Sequence, residues 1–233
     1  VVDLYDVLRV YQPEVVRYLF AGTRPNTEFV ISFDLDVIKI YEDFDKTERI
    51  AWGAEKAKND DVFAKERRIY ELSQVGELPS CISYQVPFRH LCNLLQTASG
   101  DIEAVIASLP GVEEAQIDRL RTRARCAWYW ITECSPEDFR FALRLDGSKA
   151  ALEGAELEAV RKLRDEVVPK MDGVDEKALS ELCYAVATEC GIEAKALFTA
   201  TYQALIAKDQ GPRLASFMKI IGRERLEKIL AGY

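Results

Sequence analysis

Apolar residues recur along this chain at helical spacing. Between 175 and 190, Leu179, Leu182, Cys183, Val186, Ala187 and Cys190 fall on the stripe of an amphipathic helix. Asp175 stands where an N-cap belongs, and Gly191 where such a helix ends. The same periodicity predicts a helix over 113–134, with Ile117, Leu120, Ala124, Ala127, Ile131 and Cys134 on one face. Ser135-Pro136-Glu137-Asp138 has the chemistry of a fresh helix start: a hydroxyl cap, a proline in the first turn, and acids near the positive dipole end. Further helices are expected near 13–21, 34–57, 59–73, 87–98, 101–109, 155–171, 193–208, 212–221 and 223–231. The best strand-like run, Phe29-Val30-Ile31-Ser32-Phe33, is short and reads equally as an extended connector. Turn residues interrupt the pattern at 76–80, 99–100, 109–111 and 146–148, and no repeat period emerges. The expectation is an all-α chain, with a connecting region over 1–58 and a helical body over 59–233, whole or as subdomains 59–148 and 149–233.

Composition narrows the class. The 233 residues are 48% apolar and carry 31 Lys and Arg against 39 Asp and Glu, a net charge of −8. That apolar share excludes wholesale disorder. Charges cut every apolar tract well short of the ~20 residues a membrane span needs. The opening Val1-Val2-Asp3-Leu4-Tyr5-Asp6 lacks the basic n-region of a secretory signal, and with no initiator Met the chain reads as a piece of a longer one. Cysteines at 81, 92, 126, 134, 183 and 190 form no Cys-x-x-Cys pair, and the single histidine, His90, has no further ligands near it in sequence. Neither a metal site nor a disulfide framework is expected, and the cysteines read as reduced thiols of a cytoplasmic protein.

Catalytic signals are missing. There is no His cluster, no nucleophile motif and no Gly-rich phosphate loop. The acidic residues Asp34, Asp36, Glu42, Asp43, Asp45 and Glu48 are spread round a helix with Lys39 and Lys46 interleaved, which reads as a solvated face. The strongest local charge is Arg119-Leu120-Arg121-Thr122-Arg123-Ala124-Arg125, followed after Cys126-Ala127 by Trp128-Tyr129-Trp130. Arg119 and Arg123 stack at i, i+4, as do Arg121 and Arg125. Guanidinium forks hold phosphates, and aromatic rings stack unpaired bases, so the segment suits a single-stranded RNA loop. It suits equally a helix with packed arginine stems and buried rings. A second basic segment holds Arg213, Lys219, Arg223, Arg225 and Lys228. The net −8 argues against non-specific nucleic-acid binding but leaves room for one local basic surface.

Several segments carry a family resemblance. Pro13-Glu14-Val15-Val16-Arg17-Tyr18-Leu19-Phe20, Thr23-Arg24-Pro25-Asn26, Ile31-Ser32-Phe33-Asp34-Leu35-Asp36 and Ile40-Tyr41-Glu42-Asp43-Phe44-Asp45 closely resemble the class I lysyl-tRNA synthetases, the archaeal-type enzymes found also in some bacteria. Ser135-Pro136-Glu137-Asp138-Phe139-Arg140-Phe141 is similar to a segment of the same family. Gly211-Pro212-Arg213-Leu214-Ala215 and Gly222-Arg223-Glu224-Arg225-Leu226 resemble the end of both this family and glutamyl-tRNA synthetase.

The resemblance implies a stem-contact region followed by an α-helix cage that binds the anticodon, downstream of a KMSKS-like loop that closes a Rossmann catalytic domain. Neither a HIGH-type nor a KMSKS-type motif is present, so no catalytic residue is assigned. ATP with magnesium would serve only the full-length enzyme, and no cofactor or metal is expected here. The implied partners are tRNA(Lys) and the absent Rossmann domain, with no membrane. Charge and helical spacing then select Arg17, Arg24 and Lys39 for the tRNA stem. For the anticodon loop they select Arg119, Arg121, Arg123 and Arg125, with Trp128, Tyr129 and Trp130 as stacking candidates and Arg223 and Arg225 outside them. The competing readings are the corresponding part of a glutamyl-tRNA synthetase and a helical protein–protein interaction module.

Overall fold

The computed structural model describes residues 3–233, and among these every regular element is a helix. The chain divides into two compact units, one ending at Arg140 and one running from Phe141 to Tyr233. Each has its own apolar core.

The first unit opens on α1 (Leu4–Val10), a helix outside the expected set, which a capping box between Asp3 and Asp6 initiates. Then follow α2 (Pro13–Gly22), α3 (Asp36–Ala51), α4 (Asp60–Ser73), α5 (Phe88–Thr97), α6 (Ile102–Ser108) and α7 (Glu114–Tyr129). Pro13 occupies the first turn of α2, while Asn59 and Asp101 cap α4 and α6 through their side chains. The helix expected over 113–134 is continuous, but its last turn, Trp130–Cys134, widens to a π-helical turn. The helix expected from Ser135 does not form beyond one 3₁₀ turn at Glu137–Phe139. Ser135 does not cap it: its hydroxyl bonds back to the carbonyl of Ile131, and its own carbonyl receives the Arg140 guanidinium. The run Phe29–Phe33 is a connector without a partner strand. Side chains satisfy two of its carbonyls, Tyr11 Oη donating to Ser32 at 2.5 Å and Trp130 Nε1 to Phe33 at 2.9 Å.

The expected boundary at residue 58 does not coincide with a break in packing. Helices α3 and α4 on either side of it lie against each other, and Tyr70 and Ser83 both donate to Glu48 across it. The compact unit closes instead at Arg140, eight residues before the expected subdomain boundary at 148.

An aromatic column forms the centre of this unit. The rings of Tyr11 and Tyr41 lie 5.9 Å apart, Tyr41 and Phe88 4.0 Å, Phe88 and Trp130 5.9 Å, and Trp130 and Phe139 4.9 Å. Gly100 holds the turn between α5 and α6 at φ +83°, and a Cβ there would lie 2.5 Å from the Trp128 ring. Gly100→Ala meets both the backbone penalty and the ring. It is expected to destabilise this unit by about 1–3 kcal/mol, read from the midpoint of urea unfolding.

The second unit holds α8 (Gly154–Lys162), α9 (Glu176–Glu189), α10 (Ala194–Ile206), α11 (Leu214–Ile221) and α12 (Arg223–Leu230). The helix expected over 155–171 leaves α-geometry after Lys162 for a π turn and then a 3₁₀ segment containing Pro169, which cannot donate to the helical ladder. Asp175 caps α9 as expected, accepting from Ala178. Met171, Leu179, Leu197 and Phe217 lie at the centre of the core.

Candidate nucleic-acid interface

The arginine-rich stripe of α7 turns largely inward. Arg123, 5% exposed, grips Asp45 with both terminal nitrogens, at 2.7 and 2.6 Å, and lies over the Tyr41 ring at 5.0 Å. Burial raises the Asp45 carboxyl from its ordinary value, and the guanidinium opposes that without cancelling it. Desolvation works against the Arg123 charge, and the attraction and hydrogen bonds of Asp45, together with Tyr41 and Glu48, more than offset it. Arg121 donates to Glu103 at 2.6 and 3.0 Å and to Asp118 at 2.6 Å. The Glu103 carboxyl is held below its usual range chiefly by those bonds. Arg119 is half-buried and loosely held, 3.5 Å from Glu48 and 3.5 Å from Gln74. Arg125 is exposed, with no ion pair among the described residues.

The three aromatics that follow divide in the same way. Trp130 is fully buried in the aromatic column, so it is corrected from stacking platform to core residue. Trp128 packs on Gly100, and Tyr129 lies under the Arg9 guanidinium at 5.6 Å. Arg123 is likewise corrected: a guanidinium already forked on a buried carboxylate has no open fork for a phosphate.

Of the stem candidates, Arg24 and Lys39 are exposed in the first unit. Arg17 is exposed as well, but its Nε and Nη2 donate to the carbonyl of Leu72 near the end of α4. In the second unit Arg223 donates to Glu227 at 2.7 Å and to the Pro169 carbonyl, and Arg225 is exposed on α12.

A more open constellation lies in the second unit. A basin of about 620 Å³ is lined by the first turns of α9 and α11, with Tyr184, Phe198 and Tyr202 beside them. Tyr184 is 51% exposed and meets Phe198 edge to face at 5.3 Å, leaving ring surface accessible. Lys177 and Arg213 line the basin, are exposed, and make no ion pair among the described residues. The one carboxylate there, Glu176, accepts a hydrogen bond from Ser216 at 2.5 Å. No side chain caps α11, so its first amides face the basin end of the helix.

The segment Gly211-Pro212-Arg213 is placed by Tyr202. Its hydroxyl donates to the Pro212 carbonyl, and its ring lies 3.0 Å from where a Cβ on Gly211 would be. The sequence marked Arg213 as basic but offered no reason to join it to Tyr184, 29 positions earlier by their numbers; only the packing of α9 against α11 does that.

No group of three or more His, Cys, Asp or Glu side chains able to hold a metal ion occurs among the described residues. The six cysteines are free thiols, and burial pushes Cys183 up to about 11. No helix among the described residues is long and apolar enough to cross a membrane.

A family described as tRNA synthetases class I (K) matches residues 1–76. The chain is 57% identical over 234 residues to a lysine–tRNA ligase of Treponema pallidum, 45% to that of Borreliella burgdorferi, and 34% over 236 residues to that of Thermococcus kodakarensis. These matches cover 98–100% of this chain but only 44–45% of each relative, so the chain spans less than half the length of the proteins it matches. It belongs to the class I aminoacyl-tRNA synthetases. Within them, its family is that of the class I lysyl-tRNA synthetases.

Proposed function

We propose that this chain is the tRNA-recognising portion of a lysine–tRNA ligase, and that it holds the anticodon arm of tRNA(Lys) while the chemistry takes place elsewhere in the full-length protein. The observation that carries this reading is the basin between α9 and α11, where an accessible tyrosine ring stands beside an uncapped helix start and two cations without ion-pair partners among the described residues. Stacking an unpaired base on Tyr184 while Arg213 and Lys177 hold the adjoining phosphates is the ordinary physics of single-stranded RNA binding. Arg125, Arg24 and Lys39 remain as outer phosphate contacts on the first unit. The net charge of −8 confines attraction to such local patches.

In this reading ATP-dependent activation of lysine belongs to a Rossmann catalytic domain outside this chain, and the protein works in the cytoplasm. Binding energy gathered far from the reacting atoms still accelerates transfer, because it orients the acceptor end. The lysine-ligase relatives favour the lysyl over the glutamyl reading.

A hairpin copied from the anticodon arm of a lysine tRNA is expected to bind this chain with steep salt dependence. Tyr184→Ala weakens binding about tenfold, the effect of one lost base stack. Arg213→Ala lowers the slope of log K against log salt by about 0.7. Thermal unfolding serves as the control: it should not move for the exposed Arg213 and should fall only slightly for Tyr184→Ala, which loses its edge contact with Phe198. Binding that ignores the anticodon sequence sinks the anticodon assignment, and an unaltered Tyr184→Ala variant removes the basin from it.

A further inference from the structure

A second cavity, in the first unit, carries polar groups that its fold leaves partly unused. This cleft of about 320 Å³ is lined by residues 79–84, by the start of α7, and by Phe44, Glu48 and Gln12. We infer that it takes a single unstacked nucleobase of the tRNA, an assignment that rests on the tRNA-binding role proposed above.

Its walls are preformed. Gln116 Nε2 donates to the Ile82 carbonyl at 3.1 Å, Tyr84 Oη to the Pro110 carbonyl at 3.0 Å, and Ser83 Oγ to Glu48 at 2.8 Å. Little ordering cost is left for a ligand to meet. Pro79, Ile82 and Tyr84, each half-buried, supply the apolar surface a flat ring requires, with Phe44 and Leu120 buried in the lining. The polar groups offer both a donor and an acceptor. Glu48 is fully buried and accepts from Tyr70, Ser83 and Gln85, and Arg119 stands only 3.5 Å from it.

At that separation the guanidinium is held weakly, unlike the 2.6 Å fork of Arg123 on Asp45, and it can turn to a ligand. Arg123 lines the same cleft, and its Nε is buried with no acceptor among the described residues. An orphan donor of this kind costs about 1–3 kcal/mol unless something accepts from it.

Charge decides between ligand classes. Arg119 stands against Glu48 and Arg123 against Asp45, so the cleft presents hydrogen bonds with little net charge. A phosphate entering it would meet the buried Glu48 carboxylate. The neutral edge of a base, with a carbonyl or ring nitrogen beside an N–H, would accept from Arg119 and donate to Glu48. The volume lies at the small end of ligand pockets and accommodates one base, not a stack of them.

One variant plugs the cleft without removing a hydrogen bond, and a second removes the Arg119 guanidinium. Ala115 is exposed on the first turn of α7 and lines the opening, so Ala115→Trp fills it. Binding is measured for wild type, Ala115→Trp and Arg119→Gln, using the lysine-tRNA anticodon hairpin and versions made abasic at each loop position in turn. The expected result is one position whose abasic form binds wild type about tenfold more weakly and is not penalised further in either variant. Variants that bind every hairpin as wild type does overturn the cleft assignment and leave the tRNA reading standing. So does a penalty that adds at every position. Failure of wild type to bind any hairpin overturns both.

Discussion

Arg123→Met is expected to destabilise the first unit by about 3–5 kcal/mol, although the residue belongs to the most RNA-like segment of the sequence. The substitution leaves the Asp45 carboxylate 3% exposed and without its fork. Burial already raises that carboxyl from its ordinary value with the guanidinium in place, so losing the partner pushes it further in the same direction. The Met side chain also gives up the guanidinium's packing over Tyr41 at 5.0 Å and Phe88 at 6.0 Å. The double variant Asp45→Leu with Arg123→Met should recover most of the loss, because two well-packed apolar groups replace a buried pair at little net cost. Urea unfolding followed by tryptophan fluorescence reads this unit alone, since all three tryptophans, Trp52, Trp128 and Trp130, lie within it. A single variant as stable as wild type, or a double variant no better than the single, would sink the account of a buried pair that specifies the packing of α3 against α7.

Trp130→Ala should cost a comparable amount, about 3–5 kcal/mol, by emptying the middle of the aromatic column. It also orphans the Phe33 carbonyl, which receives the indole N–H at 2.9 Å and anchors the connector between α2 and α3. Trp130→Phe keeps much of the apolar volume and loses the hydrogen bond, so its cost should fall well below that of alanine. The informative comparison is with RNA. Measured where the variant is still folded, hairpin affinity should be unchanged by Trp130→Phe and reduced by Tyr184→Ala. A large loss of affinity in a folded Trp130→Phe protein would return Trp130 to the interface.

These two residues show where reading the chain in one dimension runs out. Four arginines within seven positions followed by three aromatics are the chemistry of an RNA-binding helix, and the same letters are the chemistry of a helix packed on all sides. Sequence spacing places Arg123 on a face but does not reveal that Asp45, 78 positions earlier, waits opposite it. Nor does it show that Tyr184 and Arg213 line one basin, because no local spacing joins a tyrosine of one helix to a basic segment that begins 29 positions later. The run Phe29–Phe33 reads equally as a strand or as an extended connector, and the structure decides for the connector because its hydrogen bonds go to side chains of distant helices, which local propensity does not register.

What the sequence determined alone is the helical class, the position of most helices, and the family. Periodicity, caps and breaks are written within one turn of the chain, and the segments around Thr23–Asn26 and Phe33–Asp36 survive as words whatever their neighbours do. What the tertiary structure alone decided is which charges face water. A guanidinium is as soluble in a carboxylate's fork as in a phosphate's, and only the packing of helices determines which of the two it meets.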